Sequence, residues 1–248
     1  MELSYQHIRN ATGILNYAGL KLLIDPLLAP KGEYPGFELA KLTANKLKRN
    51  PLVDLPIPVE DIIKGVEAVI LTHTHLDHWD PCAAKLIPKY IPFFVQHAGD
   101  AKLIREAGFA DVRVVGVNTP FKGITITKTG GQHGSDAMLS NPALAVLIDE
   151  SMGFVIKAPG EKIVYFAGDT KWHEYVEIAI KKHEPDYIVL NTGGAEVDGY
   201  DGSLIMTSED IETCYKFSNK GKIIAVHMDA INHCVCTRED VLKFVENN

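Results

Sequence analysis

The residue types best suited to chemistry fall in one short run, His73-Thr74-His75-Leu76-Asp77-His78. Imidazole nitrogens and carboxylates are the ligands that bind zinc and similar divalent ions. His73 and His75 are two positions apart, so in extended chain they point the same way. Asp77 and His78 follow where the chain must turn. A single histidine is usually a surface or core group. Three histidines and an aspartate in one such run, ending an apolar strand, point instead to a metal centre.

The flanking elements place this run. Ala68-Val69-Ile70-Leu71 is uniformly apolar, the mark of a strand buried on both faces. Asp80-Pro81 pairs a favoured N-cap with a favoured first helical residue, so a helix starts there. The run therefore occupies a strand-to-helix loop, where α/β folds commonly hold ligands. Upstream, residues 3–9 and 12–17 read as strands, and 20–24 returns after an Ala18-Gly19 turn. Downstream, strand signals recur at 91–95, 112–117, 123–128, 143–149, 153–157, 162–167, 186–190 and 222–227. Helices fit 99–107, 171–182, 207–217 and 237–246; Thr207 with Asp210 and Thr237 with Asp240 resemble capping boxes. Residues 26–58 differ, broken by Pro26, Pro30, Pro35, Pro51, Pro56 and Pro58, with one helix expected over 37–48. Such an irregular insertion is either a lid-like segment or a packed surface excursion. The pattern predicts a single α/β domain over 1–248, with two sheets inside and helices outside.

Bulk properties exclude several classes. The net charge is −7, and only Lys46-Leu47-Lys48-Arg49 clusters basic residues, so no nucleic-acid partner is expected. No apolar run approaches the roughly 20 residues of a membrane span, and the N-terminus lacks a secretory pattern. Cys82, Cys214, Cys234 and Cys236 are scattered, which favours reduced thiols and a cytoplasmic location. His233, six residues past His227, is a candidate proton donor, with a surface or core histidine as the alternative. Thr192-Gly193-Gly194 offers backbone N–H groups to an anion. His97 and His173 have no partner pattern and read as structural, and the Cys234-Val235-Cys236 thiols read as buried and inert.

His-x-His-x-Asp-His after an apolar strand resembles the signature of the metallo-β-lactamase superfamily. Gly131-Gln132-His133-Gly134, Ala167-Gly168-Asp169-Thr170 and Ile223-Ile224-Ala225-Val226-His227 follow in the order that family shows, and Leu23-Ile24-Asp25-Pro26 matches its early Asp motif. Within the superfamily the chain is most similar to the branch of L-ascorbate-6-phosphate lactonase and related metal-dependent hydrolases. It departs from that branch's early Gly-His-Ala pattern with Arg9-Asn10-Ala11. The resemblance implies a four-layer αββα sandwich and two divalent ions, zinc or else manganese. It implies that His73, His75 and His133 hold one ion, that Asp77, His78 and His227 hold the other, and that Asp169 bridges them. Asp25 is implied beside the cluster, and Asp77 is implied to orient the nucleophile as well as to bind metal. The implied activity is hydrolysis of a small ester, lactone or phosphoester. Two dications outweigh two carboxylates and a hydroxide, so an anionic substrate is expected. Other substrates of the same fold (RNA, thioesters), a non-catalytic metal-binding role and self-association remain open at this stage.

Overall fold

The computed structural model describes residues 2–41 and 43–247. Two six-stranded sheets form its centre. The first runs, in spatial order, through β1 (Ser4–Arg9), β2 (Thr12–Tyr17), β3 (Leu20–Ile24), β4 (Ala68–Ile70), β5 (Phe93–Val95) and β6 (Val112–Val114). β1 to β3 are antiparallel, and β3 to β6 are parallel. The second contains β7 (Thr119–Phe121), β8 (Ile124–Thr129), β9 (Gly153–Lys157), β10 (Val164–Phe166), β11 (Tyr187–Asn191) and β12 (Lys222–Val226). Here β7 to β10 are antiparallel and β10 to β12 parallel.

The period-two alternation of side chains sorts the layers. Leu22, Ile24, Ala68 and Ile70 face the second sheet and meet Ile126, Phe154, Phe166 and Val189 in the inner core. Their neighbours Leu23 and Val69 point outward. They pack under α1 (Val59–Ile63), α2 (Pro81–Leu86) and α3 (Ala98–Glu106) through Ile62, Ala83 and Ile104. Of the remaining helices, α4 (Asp136–Leu139) and α5 (Pro142–Ile148) pack with Val197 beside the sheets. On the far side Val155, Tyr165 and Leu190 pack under α6 (Glu174–His183) and α7 (Ser208–Phe217), and α8 (Arg238–Asn247) joins α7 and Met228. Both sheets are thus buried on both faces, which makes the αββα sandwich.

Several expectations hold in detail. Asp80 caps α2, accepting from the Ala83 N–H at 2.6 Å, with Pro81 in the first turn. The Thr207–Asp210 box opens α7, and Thr237 and Asp240 exchange two hydrogen bonds before α8. His97 and His173 are the N-caps of α3 and α6. Two expectations are corrected. The strand expected at 143–149 is α5: Asn141 accepts from the Ala143 and Leu144 N–H groups and Pro142 fixes the first turn, which overrides the apolar run Ala-Leu-Ala-Val-Leu-Ile. The helix expected over 37–48 does not form among its described residues; Leu42 lies outside them. This stretch is bridged instead, Ala40 to Val197, and Tyr34 pairs with Asn50. β7, α1 and α4 are short elements with no counterpart in the sequence reading.

Candidate metal centre

Every segment of the site follows the C-terminal end of a strand. Asp25 leaves β3, Thr72 to His78 leave β4, His133 follows β8, Asp169 follows β10 and His227 follows β12. The sandwich therefore brings residues from both sheets to one edge. Asp25 organises the entry. Its carboxylate accepts the Thr72 N–H at 2.7 Å and the Thr72 hydroxyl at 2.8 Å, and lies 2.9 Å from His78 Nδ1. Asp25 thus lies beside His78, the position for which the family resemblance raised it as a candidate.

The seven side chains gather into two groups, His73, His75 and His133, and Asp77, His78, Asp169 and His227, with donor atoms in each within 4.8 Å of one another. In the first, His73 Nε2 faces His75 Nδ1 at 2.9 Å. In the second, His78 Nε2 faces His227 Nε2 at 3.1 Å, and His227 Nε2 is 3.2 Å from Asp77 Oδ2. Asp169 Oδ2 lies 3.7 Å from His133, 3.2 Å from His78, 3.6 Å from His227 and 4.0 Å from His73, so it stands between the groups.

The outer atoms of His73, His75, His78, His227 and Asp169 have partners while the inner atoms converge. His73 Nδ1 lies 3.1 Å from the Thr72 hydroxyl, and His75 Nε2 3.2 Å from the Leu147 carbonyl. His227 Nδ1 lies 3.5 Å from Cys234 Sγ, and Asn191 donates to Asp169 Oδ1 at 2.6 Å. Metal-binding histidines are oriented in this way through their second nitrogen. Facing imidazole nitrogens share at most one proton, and no Lys or Arg ion pair reaches Asp77 or Asp169 among the described residues. Five imidazoles and two buried carboxylates, with no Lys or Arg ion pair among the described residues, are the donor chemistry of divalent ions, and these residues fit them.

The field inside the cluster is strong. Burial disfavours a charge on His78, but Asp169, Asp77 and Asp25 outweigh it and lift its pKa to about 10. His133, with the same burial and weaker partners, is pushed down to about 3. Burial also opposes ionisation of Asp77 and Asp169, yet the surrounding histidines hold both well below the usual carboxylate range. Backbone strain collects here too: Asn10, Asp25, His227 and Asp229 all have positive φ, at 54°, 41°, 65° and 63°.

Beside the ligands lies a cavity of about 330 Å³. His75, Asp77, His133, Asp169 and His233 form its polar side, and Phe37, Leu39, Leu144, Leu147 and Leu204 are among its apolar walls. Glu38 and Glu196 are the charged residues away from the ligands, and no lysine or arginine lines it among the described residues. The 26–58 segment thus borders the cavity through Phe37 to Ala40, and it is firmly held. Arg9 donates to the Leu27, Ala29 and Val53 carbonyls. Asn232, fully buried, accepts from Phe37 N–H and from Asn50 Nδ2 at 2.9 Å each and donates to the Lys46 carbonyl. The neighbouring His233 stacks on Phe37, with ring centroids 4.8 Å apart, and its Nε2 is 3.8 Å from Asp77 Oδ2.

One group of expected site residues is elsewhere. Thr192 N–H is spent on the Val226 carbonyl at 2.9 Å and Gly194 N–H on the Met206 carbonyl at 3.0 Å, and none of Thr192, Gly193 and Gly194 lines the cavity. Gly193 is required because a Cβ there would sit 2.1 Å from the His227 carbonyl oxygen. Asn10, Thr72, Asn191, Asn232 and the thiol of Cys234 contribute contacts that sequence reasoning missed. Only the Arg9-Asn10-Ala11 departure hinted at one of them.

An αββα sandwich with His-rich and Asp-containing clusters at the strand ends defines a class. A model of the Beta-lactamase superfamily domain matches residues 21–228, and the chain belongs to the metallo-β-lactamase superfamily. It is 44% identical over 242 residues to the UPF0173 protein YddR of Bacillus subtilis (strain 168), covering 98% of this chain and 92% of that one. A crystal structure of a possible metal-dependent hydrolase from Veillonella parvula DSM 2008 is 47% identical, with a TM-score of 0.97 over 100% of this chain and 93% of that one. The isothiocyanate hydrolase from Delia radicum gut bacteria is 44% identical, with a TM-score of 0.93 over 100% and 92%. The protein is a metal-dependent hydrolase of this superfamily. Among the described residues no helix is long and apolar enough to cross a membrane.

Proposed function

We propose that this hydrolase carries two divalent ions and acts on a small, neutral, apolar electrophile of the isothiocyanate class. The observation that carries the reading is the cavity: apolar walls and two glutamates, one of them (Glu196) paired with Lys41, lead to the His and Asp clusters, and among the described residues no lysine or arginine lines it. Full-length similarity to an isothiocyanate hydrolase points the same way. An anionic ester, lactone or phosphoester, which the charge of the centre favours, would find no Lys or Arg to neutralise it in the cavity wall.

His73, His75 and His133 would hold one ion, Asp77, His78 and His227 the other, and Asp169 both. The nitrogen-rich set suits zinc, with manganese second. Ions there would make a water strongly nucleophilic near neutral pH. In the overall reaction, the water oxygen bonds to the central carbon of R–N=C=S and the nitrogen gains a proton. The resulting thiocarbamic acid then breaks its C–N bond, its acidic proton passing to nitrogen, to release amine and carbonyl sulfide. Asp77, facing the cavity, orients the attacking water and takes its proton. His233, on the Phe37 side of the same cavity, gives a proton to the substrate nitrogen. Phe37, Leu144 and Leu147 enclose the R group and exclude bulk water. The four unpaired cysteines fit a reducing cytoplasm.

The test is a matched pair assayed on zinc-reconstituted protein: phenyl isothiocyanate and its 4-carboxylate, beside a lactone and a phosphodiester. The neutral isothiocyanate should have kcat/KM at least about tenfold above its carboxylate, a difference of about 1.4 kcal/mol. Equal or higher kcat/KM for the carboxylate, or turnover of lactone or phosphodiester alone, would reject the assignment.

A further inference from the structure

We propose that the Asn10 carboxamide is a further functional side chain of the centre, a positioning residue that sets the affinity of the Asp77–His78–His227 group for its ion. The inference rests on the binuclear reading above. Asn10 sits in the turn between β1 and β2 and has no exposed surface. Its Nδ2 donates to the Asp77 carbonyl at 3.0 Å, and lies 3.4 Å from Asp77 Oδ2 and 3.1 Å from His227 Nε2. Its own carbonyl accepts the His227 N–H at 2.9 Å. One residue thus touches both the main chain and the side chain of two ligands that are far apart in sequence.

The orientation of the amide is fixed by chemistry. Turning it over would place Oδ1 against the Asp77 carbonyl, two acceptors in contact, so the N–H face is the one presented to the ligands. In that pose Oδ1 is buried without a partner, and the backbone is held at φ 54°. The left-handed backbone suits asparagine, and the buried Oδ1 has no protein partner. Both occur where a neutral donor is hydrogen-bonded to the Asp77 main chain and stands beside its carboxylate, leaving the inner lone pair of His227 for an ion. A neutral donor leaves the charge of the group unchanged. It fixes the Asp77 main chain and so the direction of its carboxylate, while the Asn10 carbonyl holds the N–H of His227, itself at φ 65°. The contacts of Asn10 are with the second group; His73, His75 and His133 are not among its partners.

Asn10→Gly separates side chain from backbone. Glycine adopts the positive φ freely and keeps the carbonyl that holds the His227 N–H, so only the carboxamide is lost. Zinc affinity is measured by competition with a chromophoric chelator in two backgrounds. In His133→Ala the second group is the intact one, and adding Asn10→Gly should weaken zinc binding 10- to 100-fold, the range for residues that orient metal ligands. In His227→Ala the first group is the intact one, and the same addition should leave affinity unchanged. Asn10→Ser, whose hydroxyl is too short to reach, should repeat the result, and circular dichroism of the metal-free variants verifies that they fold. Cobalt-substituted Asn10→Gly should show altered d–d absorption from the second ion. Unchanged zinc affinity in the His133→Ala background, or equal losses in both, would overturn the assignment. If otherwise unaltered protein binds only one ion, the binuclear reading falls and takes this inference with it. If it binds two and Asn10→Gly binds two equally well, only the inference fails.

Discussion

The two ligand groups are built to different plans. His73, His75 and His133 are neutral imidazoles with loose outer contacts: His133 Nδ1 is buried without a partner, and His75 is held by a single carbonyl at 3.2 Å. Two of the three face the cavity. The second group is buried, carries two carboxylates, and is braced by Asp25, Asn10, Asn191 and Cys234. Its histidines are turned away from the cavity, and only Asp77 and Asp169 reach it. The contrast teaches a division of labour. On the proposed function, the second group would be the tighter metal site, and the first, which faces the cavity, the one nearer the substrate. Charge alone argues that the first equivalent of metal fills the second group.

The largest expected effect breaks the anchor and the chemistry together. Asp77→Ala should lower kcat by at least about 10³-fold while circular dichroism remains that of a folded protein, because Asp77 lies in a loop and its loss costs ligation and proton transfer. An active variant would show that the carboxylate has neither role. Next, His233→Gln should lower kcat by about 100-fold with KM within a factor of a few, the pattern of a group that acts in the transition state. A change confined to KM would make His233 a wall residue only. Asp25→Asn keeps shape but removes the charge beside His78 Nδ1. It should weaken the more tightly bound ion by about 10- to 100-fold and spare the other. Loss of both ions equally would erase the distinction between the groups. The smallest effect belongs to the substrate side: Phe37→Ala should raise KM for an apolar substrate by roughly tenfold or less, with a smaller change for a short-chain one. An unchanged KM would place the R group elsewhere.

How much of this is legible in the sequence depends on the distance between partners. His73 to His78 and the Asp80-Pro81 helix start are written within one loop, so they can be read locally. The strand misread at 143–149 was also local. Its deciding signal, Asn141-Pro142, precedes an apolar run that suits either element, and the cap settles the choice. The helix expected over 37–48 failed for the opposite reason. That stretch is shaped by Asn232 and Val197, far along the chain, and its own residues do not reveal it. Asn10 meets His227 across 217 positions, and Asn50 meets Asn232 across 182, so neither contact leaves a local mark. Gly193-Gly194 shows how a correct residue type misleads. The glycines were read as donors to a ligand, whereas at Gly193 the requirement is space for the His227 carbonyl.

The central claim is that two unequal groups hold two ions within bridging distance. Anomalous diffraction from crystals of zinc-loaded protein, recorded at the zinc edge, tests it most directly. The account requires two peaks about 3.5–4 Å apart. One should lie among His73, His75 and His133, the other among Asp77, His78 and His227, with Asp169 between and the second peak the fuller at limiting zinc. A single peak at saturating zinc, or two separated well beyond that distance, would contradict it.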